Sequence, residues 1–346
     1  MAKMNRRQFV AGAASGAAAL ALAGCATLPA GQPRAAGNGG FHFVHLTDMH
    51  VRRKRKGNLG YQACIDAVNA LEERPAFAMM GGDLAFDGLY TAKDEFADQI
   101  ELYRSITAGL RMPYYHGIGN HDVLGLSSRR KVPVTDPDLG KKMIMDRLGM
   151  EKSHYSFDHG DWHFVVLDSI FQIDTENGPS YEPRIGEEQL AWLAKDLGSA
   201  GDRPKVAMTH IAAFCNIGQV NADDKALAMS PNMILRDNKA LRIILERHKV
   251  KALLQGHSHI TEDFYYGGVH YLTSPSVSAA WWGGNWKGSK PSFSIFKCEG
   301  EQLSWERREF PWEHHLEPED TLERDKIKEY EEFEREQAEL LARDRA

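Results

Sequence analysis

The stretch Gly119-Asn120-His121-Asp122 is the part of the sequence from which the fold can be worked out. It follows the short apolar run of residues 113–118, which predicts a β-strand that ends in a glycine turn. Such a strand presents an amide oxygen, an imidazole and a carboxylate at its carboxyl end. One tetrapeptide is weak evidence for a site, so its weight depends on what the other predicted strands carry at their ends.

The chain on both sides of this stretch alternates between strand and helix patterns. Strands are predicted over residues 41–47, 76–80, 113–117, 154–157, 162–167, 205–208, 251–254, 263–266, 269–273, 292–298 and 303–308. Helices are predicted over residues 59–71, 92–106, 187–197 and 238–247, and long loops over residues 123–142 and 171–186. The alternation predicts an α/β fold, with one catalytic domain over residues 41–312.

Polar side chains follow five of these strands. They are Asp48 and His50, Asp83, Asn120 with His121 and Asp122, His210, and His257 with His259. On extended backbone alternate side chains share a face, so Asp-x-His and His-x-His are each expected to grip one ion or two adjacent ions. Such His, Asp and Asn ligands accept Mn, Fe, Zn or Co according to supply. The sequence therefore predicts a site for one or two divalent metal ions and leaves their identity open.

Two ions about 3.5–4 Å apart are a known solution for the hydrolysis of phosphate esters. They turn a shared water into hydroxide, hold the phosphate oxygens and offset the charge that builds during in-line attack. A histidine that is not a ligand can then protonate the leaving oxygen. His121 suits this role, and we expect Asp122 to orient its ring and raise its basicity.

In this order, the motifs D-x-H, GD, GNHD, H and GHxH resemble those of the calcineurin-like metallophosphoesterase superfamily, from about residue 41 to 310. The resemblance implies a four-layer α-β-β-α sandwich of two mixed sheets, with metals at the carboxyl ends of strands. It implies His121 as the leaving-group acid. It also implies a set of metal ligands, divided into Asp48, His50 and His259 for the first ion, Asn120, His210 and His257 for the second, and Asp83 for both.

Two departures narrow the resemblance. Purple acid phosphatases place a Tyr three residues after the bridging Asp, where this chain has Phe86. Protein serine/threonine phosphatases carry GDxxDRG and GNHE, where this chain has GDLAFDG over residues 82–88 and GNHD. The chain is more similar to class III cyclic-nucleotide and glycerophosphodiester phosphodiesterases, so we expect it to hydrolyse a small phosphodiester. The alternatives are a phosphomonoesterase that acts on nucleotides or phosphoproteins, and a non-catalytic surface module with structural metals.

Composition and charge fit a soluble globular enzyme. The 346 residues are 26% charged, and the formal net charge of −6 gives no general attraction to nucleic acid, so no nucleic acid polymer is expected as a partner. Residues 313–346 are predicted to form a charged C-terminal helix with a thin apolar stripe. This helix is either a solvated appendage or a surface that binds a partner.

The amino terminus is predicted to direct export. Arg6-Arg7 and the apolar run of residues 9–24 resemble a twin-arginine signal, and Leu22-Ala23-Gly24-Cys25 matches a bacterial lipobox. Acyl chains on Cys25 would anchor a periplasmic or cell-surface lipoprotein through a flexible tether over residues 26–40. A soluble periplasmic protein is the alternative. The cysteines that remain are expected to be reduced, with one disulfide as the alternative: Cys64, Cys215 and Cys298.

Two further motifs lie close to predicted ligands in the sequence. Arg52-Arg53-Lys54-Arg55-Lys56 either draws an anionic substrate to the cleft or forms a solvated loop that contacts anionic lipid. The segment WWGGNW over residues 281–286 either stacks a base or a sugar, or packs between the sheets.

Overall fold

A computed structural model describes residues 40–221 and 230–343. Over these residues the strands are β1 Phe41–Leu46, β2 Phe77–Met80, β3 Tyr114–His116, β4 Tyr155–His159, β5 Trp162–Val166, β6 Ile170–Thr175, β7 Gly178–Pro183, β8 Lys205–Met208, β9 Ala252–Gln255, β10 Glu262–Tyr266, β11 Val269–Thr273, β12 Ser292–Glu299 and β13 Gln302–Glu309. The helices are α1 Gly57–Asn69, α2 Lys93–Thr107, α3 Lys142–Leu148, α4 Glu187–Ser199, α5 Ile217–Asn221, α6 Asn238–Arg247 and α7 Thr321–Arg343. Each strand and helix predicted above has a counterpart here, with small shifts at its ends.

The first sheet has five strands in the order β13-β12-β1-β2-β3. β1, β2 and β3 are parallel, whereas β12 runs antiparallel to β1 and pairs with β13 as a hairpin. Parallel neighbours need crossover connections, which α1 and α2 supply. The carboxyl ends of β1, β2 and β3 therefore open on the same edge of the sheet.

The second sheet has six strands in the order β10-β11-β9-β8-β5-β4. Its four central strands, β11, β9, β8 and β5, are parallel. β10 and β4 are antiparallel to their neighbours and close the two edges. Both large sheets are therefore mixed.

Aromatic side chains fill the space between the two sheets. Phe43 of β1 and Phe77 of β2 are stacked with ring centroids 5.1 Å apart, and Phe164 of β5 meets Phe43 edge-on at 5.3 Å. All three side chains are buried. Because each such burial contributes about 1.5–3 kcal/mol, these rings are a main source of the attraction between the sheets.

Helices cover the outer face of each sheet. Tyr61 of α1 and Phe96 of α2 belong to the buried cluster that includes Val44 of β1, and Leu193 of α4 and Leu241 of α6 belong to it as well. α1 packs against α2, and α4 packs against α6. The result is a four-layer α-β-β-α sandwich, so the fold implied by the sequence motifs is confirmed.

One predicted loop is wrong in part. Within residues 171–186, β6 and β7 form a two-stranded hairpin in which Ile170 lies opposite Pro183 and Thr175 opposite Gly178. Only Ile170 of β6 is buried, so this strand lacks the alternation of apolar and polar residues that would have predicted it.

The predicted export signal with Cys25, and nearly all of the tether, lie outside the described residues. Within residues 40–221 and 230–343, no helix has the length and apolar character that crossing a bilayer requires. Cys64, Cys215 and Cys298 are free thiols. The C-terminal helix, predicted over residues 313–346, is described as α7 Thr321–Arg343.

Candidate metal centre

The predicted ligands lie just beyond the carboxyl ends of five parallel strands. β1 is followed by Asp48 and His50, and β2 by Asp83. β3 leads to a short 3-10 turn, Asn120–Asp122. In the second sheet β8 is followed by His210, and β9 by His257 and His259. Because the ends of parallel strands open on one edge, the two sheets bring these side chains into one cleft.

Asp48, His50 and His259 form a first ligand group, whose donor atoms all lie within 4.8 Å of one another. The Nε2 atoms of His50 and His259 are 3.1 Å apart. The Nε2 atom of His259 is 3.3 Å from Oδ1 of Asp48. All three side chains are buried, so their lone pairs meet in a space that water reaches poorly.

Asp83, His210 and His257 form a second ligand group, with donor atoms again within 4.8 Å of one another. Asn120 adds an amide oxygen, since its Oδ1 is 3.2 Å from Nε2 of His210. The Nε2 atom of His257 is 3.1 Å from the Asn232 carbonyl, which leaves Nδ1 as the ring nitrogen available to an ion.

The two groups meet at Asp83. Its Oδ2 atom lies 3.5 Å from Nε2 of His50 in the first group and 3.2 Å from Nε2 of His210 in the second. Its Oδ1 atom accepts a hydrogen bond of 2.8 Å from the backbone N–H of His121. One carboxylate oxygen is therefore shared by both groups, while the other is fixed by the backbone.

The protonation of the histidines fits them to divalent metals. The Nδ1 atoms of His50, His210 and His259 lie 3.2, 2.9 and 2.6 Å from the carbonyl oxygens of Phe86, Gly81 and Ala279. A carbonyl only accepts, so each Nδ1 carries a proton, and Nε2 is the nitrogen whose lone pair is available to a cation once any proton there is lost. This is the arrangement that metal-binding histidines adopt, because the carbonyl fixes the tautomer and the ring. The described residues therefore form two candidate groups for divalent cations.

Asp83 and His210 of the second group carry opposite charges that stabilise each other. Burial alone would raise the pKa of Asp83, but the imidazoles around it, His210 foremost, hold that pKa well below its usual range. Burial likewise opposes charge on His210, yet the Asp83 carboxylate outweighs it and raises the pKa of His210 to about 9. A cation that binds here near neutral pH therefore displaces a proton.

The backbone of the site is left-handed at five predicted ligands. The φ angles of Asp48, His50, Asp83, His257 and His259 are 56°, 42°, 50°, 72° and 60°. The expectation that Asp-x-His and His-x-His are extended is therefore wrong: each pair is delivered by a tight turn after its strand. Non-glycine residues rarely adopt such angles, and the strain persists only where the surroundings hold it, as at functional sites.

Gly119 shows how closely these turns approach each other. A Cβ atom added there would lie 2.2 Å from both the backbone nitrogen and the Oδ1 atom of Asp83. No side chain fits at that distance. Glycine in the GNHD motif thus lets β3 end directly against the carboxylate that both groups share.

His121 lies at the rim of the first group. Its ring centroid is 4.9 Å from that of His50, and its side chain is 24% exposed, so it is open to a ligand in the cleft. Its Nδ1 atom is 3.4 Å from Oδ1 of Asp87. That distance is longer than a well-formed hydrogen bond, but it identifies Asp87 as a carboxylate that faces the ring.

The expected role of Asp122 is therefore corrected. Its Oδ1 atom accepts hydrogen bonds from the backbone N–H groups of Leu84 at 2.8 Å and Ala85 at 3.0 Å. Its Oδ2 atom accepts one from Gly119 at 2.8 Å. Asp122 thus ties the turn after β2 to the turn after β3, since three buried donors compete for its two oxygens. Asp87 was not among the predicted site residues, although its position four residues after Asp83 could have indicated it.

Three side chains of the basic run at residues 52–56 form ion pairs within the protein. Arg53 pairs with Asp98 at 3.0 Å and Lys54 with Glu319 at 3.1 Å. Arg55 pairs with Asp320 at 2.5 Å, and both side chains are almost buried. These three charges therefore bind acidic side chains of the protein, two of them in the C-terminal segment.

Comparison with known proteins identifies a matching family and similar proteins. The family model described as calcineurin-like phosphoesterase matches residues 41–261. A probable cyclic nucleotide phosphodiesterase of Xenorhabdus bovienii is 22% identical over 70% of this chain and 87% of its own length. The 3′,5′-cyclic adenosine monophosphate phosphodiesterase CpdA of Escherichia coli is 26% identical over 70% of this chain and 78% of its own length.

Solved structures are also similar. A putative 5′-nucleotidase of Staphylococcus aureus is 12% identical, with a TM-score of 0.49 over 84% of this chain and 58% of that one. GAP50 of Plasmodium is 14% identical, with a TM-score of 0.48 over 82% of this chain and 90% of that one.

Proposed function

Because the chain belongs to the calcineurin-like phosphoesterase family and is a metal-dependent phosphoester hydrolase, we propose that it is a phosphodiesterase that cleaves a small-molecule diester. The observation that carries the proposal is the position of Asp83 Oδ2, 3.5 Å from His50 Nε2 and 3.2 Å from His210 Nε2. One shared carboxylate oxygen suits a pair of cations around a single phosphate. The preference for a diester is supported by the two relatives named above as phosphodiesterases.

In this proposal the side chains of the centre hold two divalent cations. When bound, two divalent cations lower the pKa of a water and offset the negative charge on the phosphate oxygens. The residues that would hold them are Asp48, His50 and His259 for one ion, Asn120, His210 and His257 for the other, and Asp83 for both. The two ions would be Mn, Fe, Zn or Co, because imidazole and carboxylate ligands accept all four metals.

His121 is the residue we propose as the proton donor to the leaving oxygen. Its backbone N–H is bound to Asp83 Oδ1 at 2.8 Å, so the ring is held beside the shared carboxylate. Asp87 lies 3.4 Å from the ring nitrogen Nδ1, which leaves Nε2 for the substrate. A proton donor in this position assists departure of the alcohol from the phosphorus.

Hydrolysis of two model esters tests the proposal. Metal-loaded protein is expected to cleave bis-p-nitrophenyl phosphate faster than p-nitrophenyl phosphate. Asn120→Ala is expected to lower kcat/KM for the diester on the order of 100-fold or more, with the far-ultraviolet circular dichroism unchanged. A clear preference for the monoester would instead favour a phosphomonoesterase. Activity of Asn120→Ala equal to that of the wild type would contradict its role as a ligand.

We also propose that the protein is exported and anchored through an acylated Cys25. The support comes from the sequence alone, in the twin arginines and the lipobox Leu22-Ala23-Gly24-Cys25. Labelling of cells with a fatty-acid analogue is expected to mark the wild type and to spare Cys25→Ala. If the wild type is unlabelled and found in the soluble periplasmic fraction, the lipid anchor is contradicted, whereas export is still supported.

A further inference from the structure

Two indole rings stand beside the first ligand group. Trp281 and Trp286, here called the tryptophan corner, lie on the loop between β11 and β12. The ring centroid of Trp281 is 4.4 Å from that of His259 and 5.7 Å from that of His50. Trp286 meets Trp281 at 5.1 Å with an angle of 79° between the ring planes. Neither indole is fully buried, so both rings are partly accessible next to the candidate metal centre. The Nζ atom of Lys287 lies 5.6 Å from the centroid of the Trp286 ring.

The third tryptophan of the loop serves packing alone. Trp282 is fully buried, and its Nε1 donates to the backbone oxygen of Met49 at 2.9 Å and of His50 at 3.2 Å. A Cβ atom at Gly60 of α1 would lie 2.2 Å from the Trp282 ring, so helix and indole are in direct contact. Of the two interpretations of this motif, core packing therefore applies to Trp282, which also anchors the loop beneath the first ligand group.

The backbone of the loop is strained. Ala279, Trp281, Trp282 and Lys287 have φ angles of 45°, 51°, 68° and 48°. Filling the core with an indole does not require four non-glycine residues in the left-handed region. Such angles persist where the surrounding structure imposes them, and they cluster where side chains are held for a ligand.

Polar contacts hold the corner in place. The carbonyl oxygen of Trp281 accepts hydrogen bonds from Arg52 Nη2 at 3.3 Å and from Arg55 Nη1 at 3.5 Å. Arg55 is in turn held by Asp320. Trp286 Nε1 donates to the carbonyl oxygen of Ser258 at 3.1 Å. The corner is therefore ordered before any ligand arrives, and a ligand that contacts it does not have to bear the cost of ordering it.

We propose that the tryptophan corner binds a planar aromatic or heteroaromatic group of the substrate, such as a nucleobase. This inference rests on the proposed phosphodiesterase function and names its substrate class: a diester in which one ester group carries a flat ring. An indole face attracts any such ring by stacking, whereas a glycerol or methyl group offers no face to stack. The contacts of Trp281 with His50 and His259 set the ring beside the phosphate that the ligand groups would hold.

Binding of two phosphates tests the subsite without turnover. Adenosine 5′-phosphate and glycerol 3-phosphate are titrated calorimetrically into metal-loaded protein, since only the first carries a ring. Trp281→Leu is expected to weaken binding of adenosine 5′-phosphate about 10-fold and to leave glycerol 3-phosphate unchanged. Trp305→Leu is the matched control, because Trp305 is a half-buried tryptophan on β13 outside the site; it is expected to change neither affinity.

A kinetic comparison tests the same subsite during hydrolysis. Thymidine 5′-(p-nitrophenyl) phosphate and methyl p-nitrophenyl phosphate release the same leaving group, so they differ in the second ester group. Trp281→Leu and Trp286→Leu are expected to raise KM for the thymidine ester about 10-fold and to spare the methyl ester. Trp281→Phe keeps a flat face and is expected to restore most of the wild-type KM. Metal content, measured by elemental analysis, is expected to stay at the wild-type value.

Three results would overturn the subsite. They are equal losses on both esters, loss of metal from Trp281→Leu, and a wild type that binds the two phosphates equally well. The first two would assign Trp281 to the support of His259. If the wild type cleaves no diester but still prefers adenosine 5′-phosphate through Trp281, the proposed phosphodiesterase function fails while the ring subsite stands.

Discussion

Arg55 and Asp320 form a nearly buried ion pair across 265 residues of sequence, with the guanidinium Nε and Nη2 atoms 2.8 and 2.5 Å from the two carboxylate oxygens. The pair joins the segment after the first ligand turn to the start of α7. Through the Trp281 carbonyl it also reaches the tryptophan corner. The C-terminal segment is therefore tied to the rest of the fold near the candidate metal centre rather than attached as a free appendage.

Asp320→Ala is expected to lower the free energy of unfolding by on the order of 3 kcal/mol, because it leaves the Arg55 charge buried without its carboxylate. Urea denaturation followed by circular dichroism measures the change. Glu319→Ala is the matched control, since its pair with Lys54 is 62–68% exposed and its loss is expected to change the free energy of unfolding far less than the loss of the buried pair. Equal effects of the two variants would show that the buried pair has no special weight.

Asp122→Ala is expected to destabilise the fold by at least about 3 kcal/mol, because three buried N–H groups lose their acceptor at once. The same denaturation experiment measures it. Asp174→Ala, on the exposed strand β6, is the control and is expected to change stability by less than about 0.5 kcal/mol. A stable Asp122→Ala protein with altered activity alone would return Asp122 to the catalytic role first expected for it.

Gly119→Ala is expected to lower kcat/KM for the diester about 100-fold, because the new Cβ must push Asp83 out of its position between the ligand groups. Gly198→Ala is the control, since Gly198 lies in α4 and a Cβ there meets only the His248 ring, at an ordinary contact distance of 3.6 Å; its kcat/KM is expected to equal that of the wild type. Activity and metal content of Gly119→Ala both at wild-type values would mean that the turn shifts without moving Asp83.

His163→Gln is expected to flatten the dependence of stability on pH. Burial alone would lower the pKa of His163, but hydrogen bonds to Asp196 at 2.8 Å and Asp158 at 2.7 Å outweigh it and raise that pKa. The protonated ring therefore stabilises the fold fully below its unfolded pKa of about 6.5, and this contribution is lost as pH rises through the raised value.

Thermal unfolding of both proteins at about pH 6 and pH 8.5 measures this, on either side of the usual range for histidine. The wild type is expected to lose more stability than His163→Gln between the two pH values. Arg203, which pairs with Asp158 at 2.6 Å, is present in both proteins and cancels in the comparison. Parallel pH profiles would show that the ring stays neutral throughout.

The positions of the candidate ligands could be predicted from sequence because each follows a short apolar run that favours a strand. Asp48, Asp83 and His257 lie two or three residues after the ends of β1, β2 and β9. Their backbone angles could not be predicted in this way, since a left-handed turn of non-glycine residues is imposed by contacts that form only in the folded chain. The same holds for Asp122, whose three partners come from two turns.

Contacts between segments that are distant in the sequence could not be predicted either. Nothing in the local pattern of Arg55 indicates a partner near the C-terminus, and a run of basic residues ordinarily predicts a solvated loop. The β6–β7 hairpin was missed for a related reason. Only Ile170 of β6 is buried, so burial left no period of two in the sequence of that strand.

Each ligand group draws from both sheets, since Asp48 and His50 meet His259, and Asp83 meets His210 and His257. The distance between the ligands from the first sheet and those from the second is therefore set by how the two sheets pack together. The rings of Phe43, Phe77 and Phe164 pack between the two sheets and so help to set the distance between the parts of the site that each sheet supplies. A chain that repacked this interior would retune its affinity for cations of different radius while every ligand stayed the same.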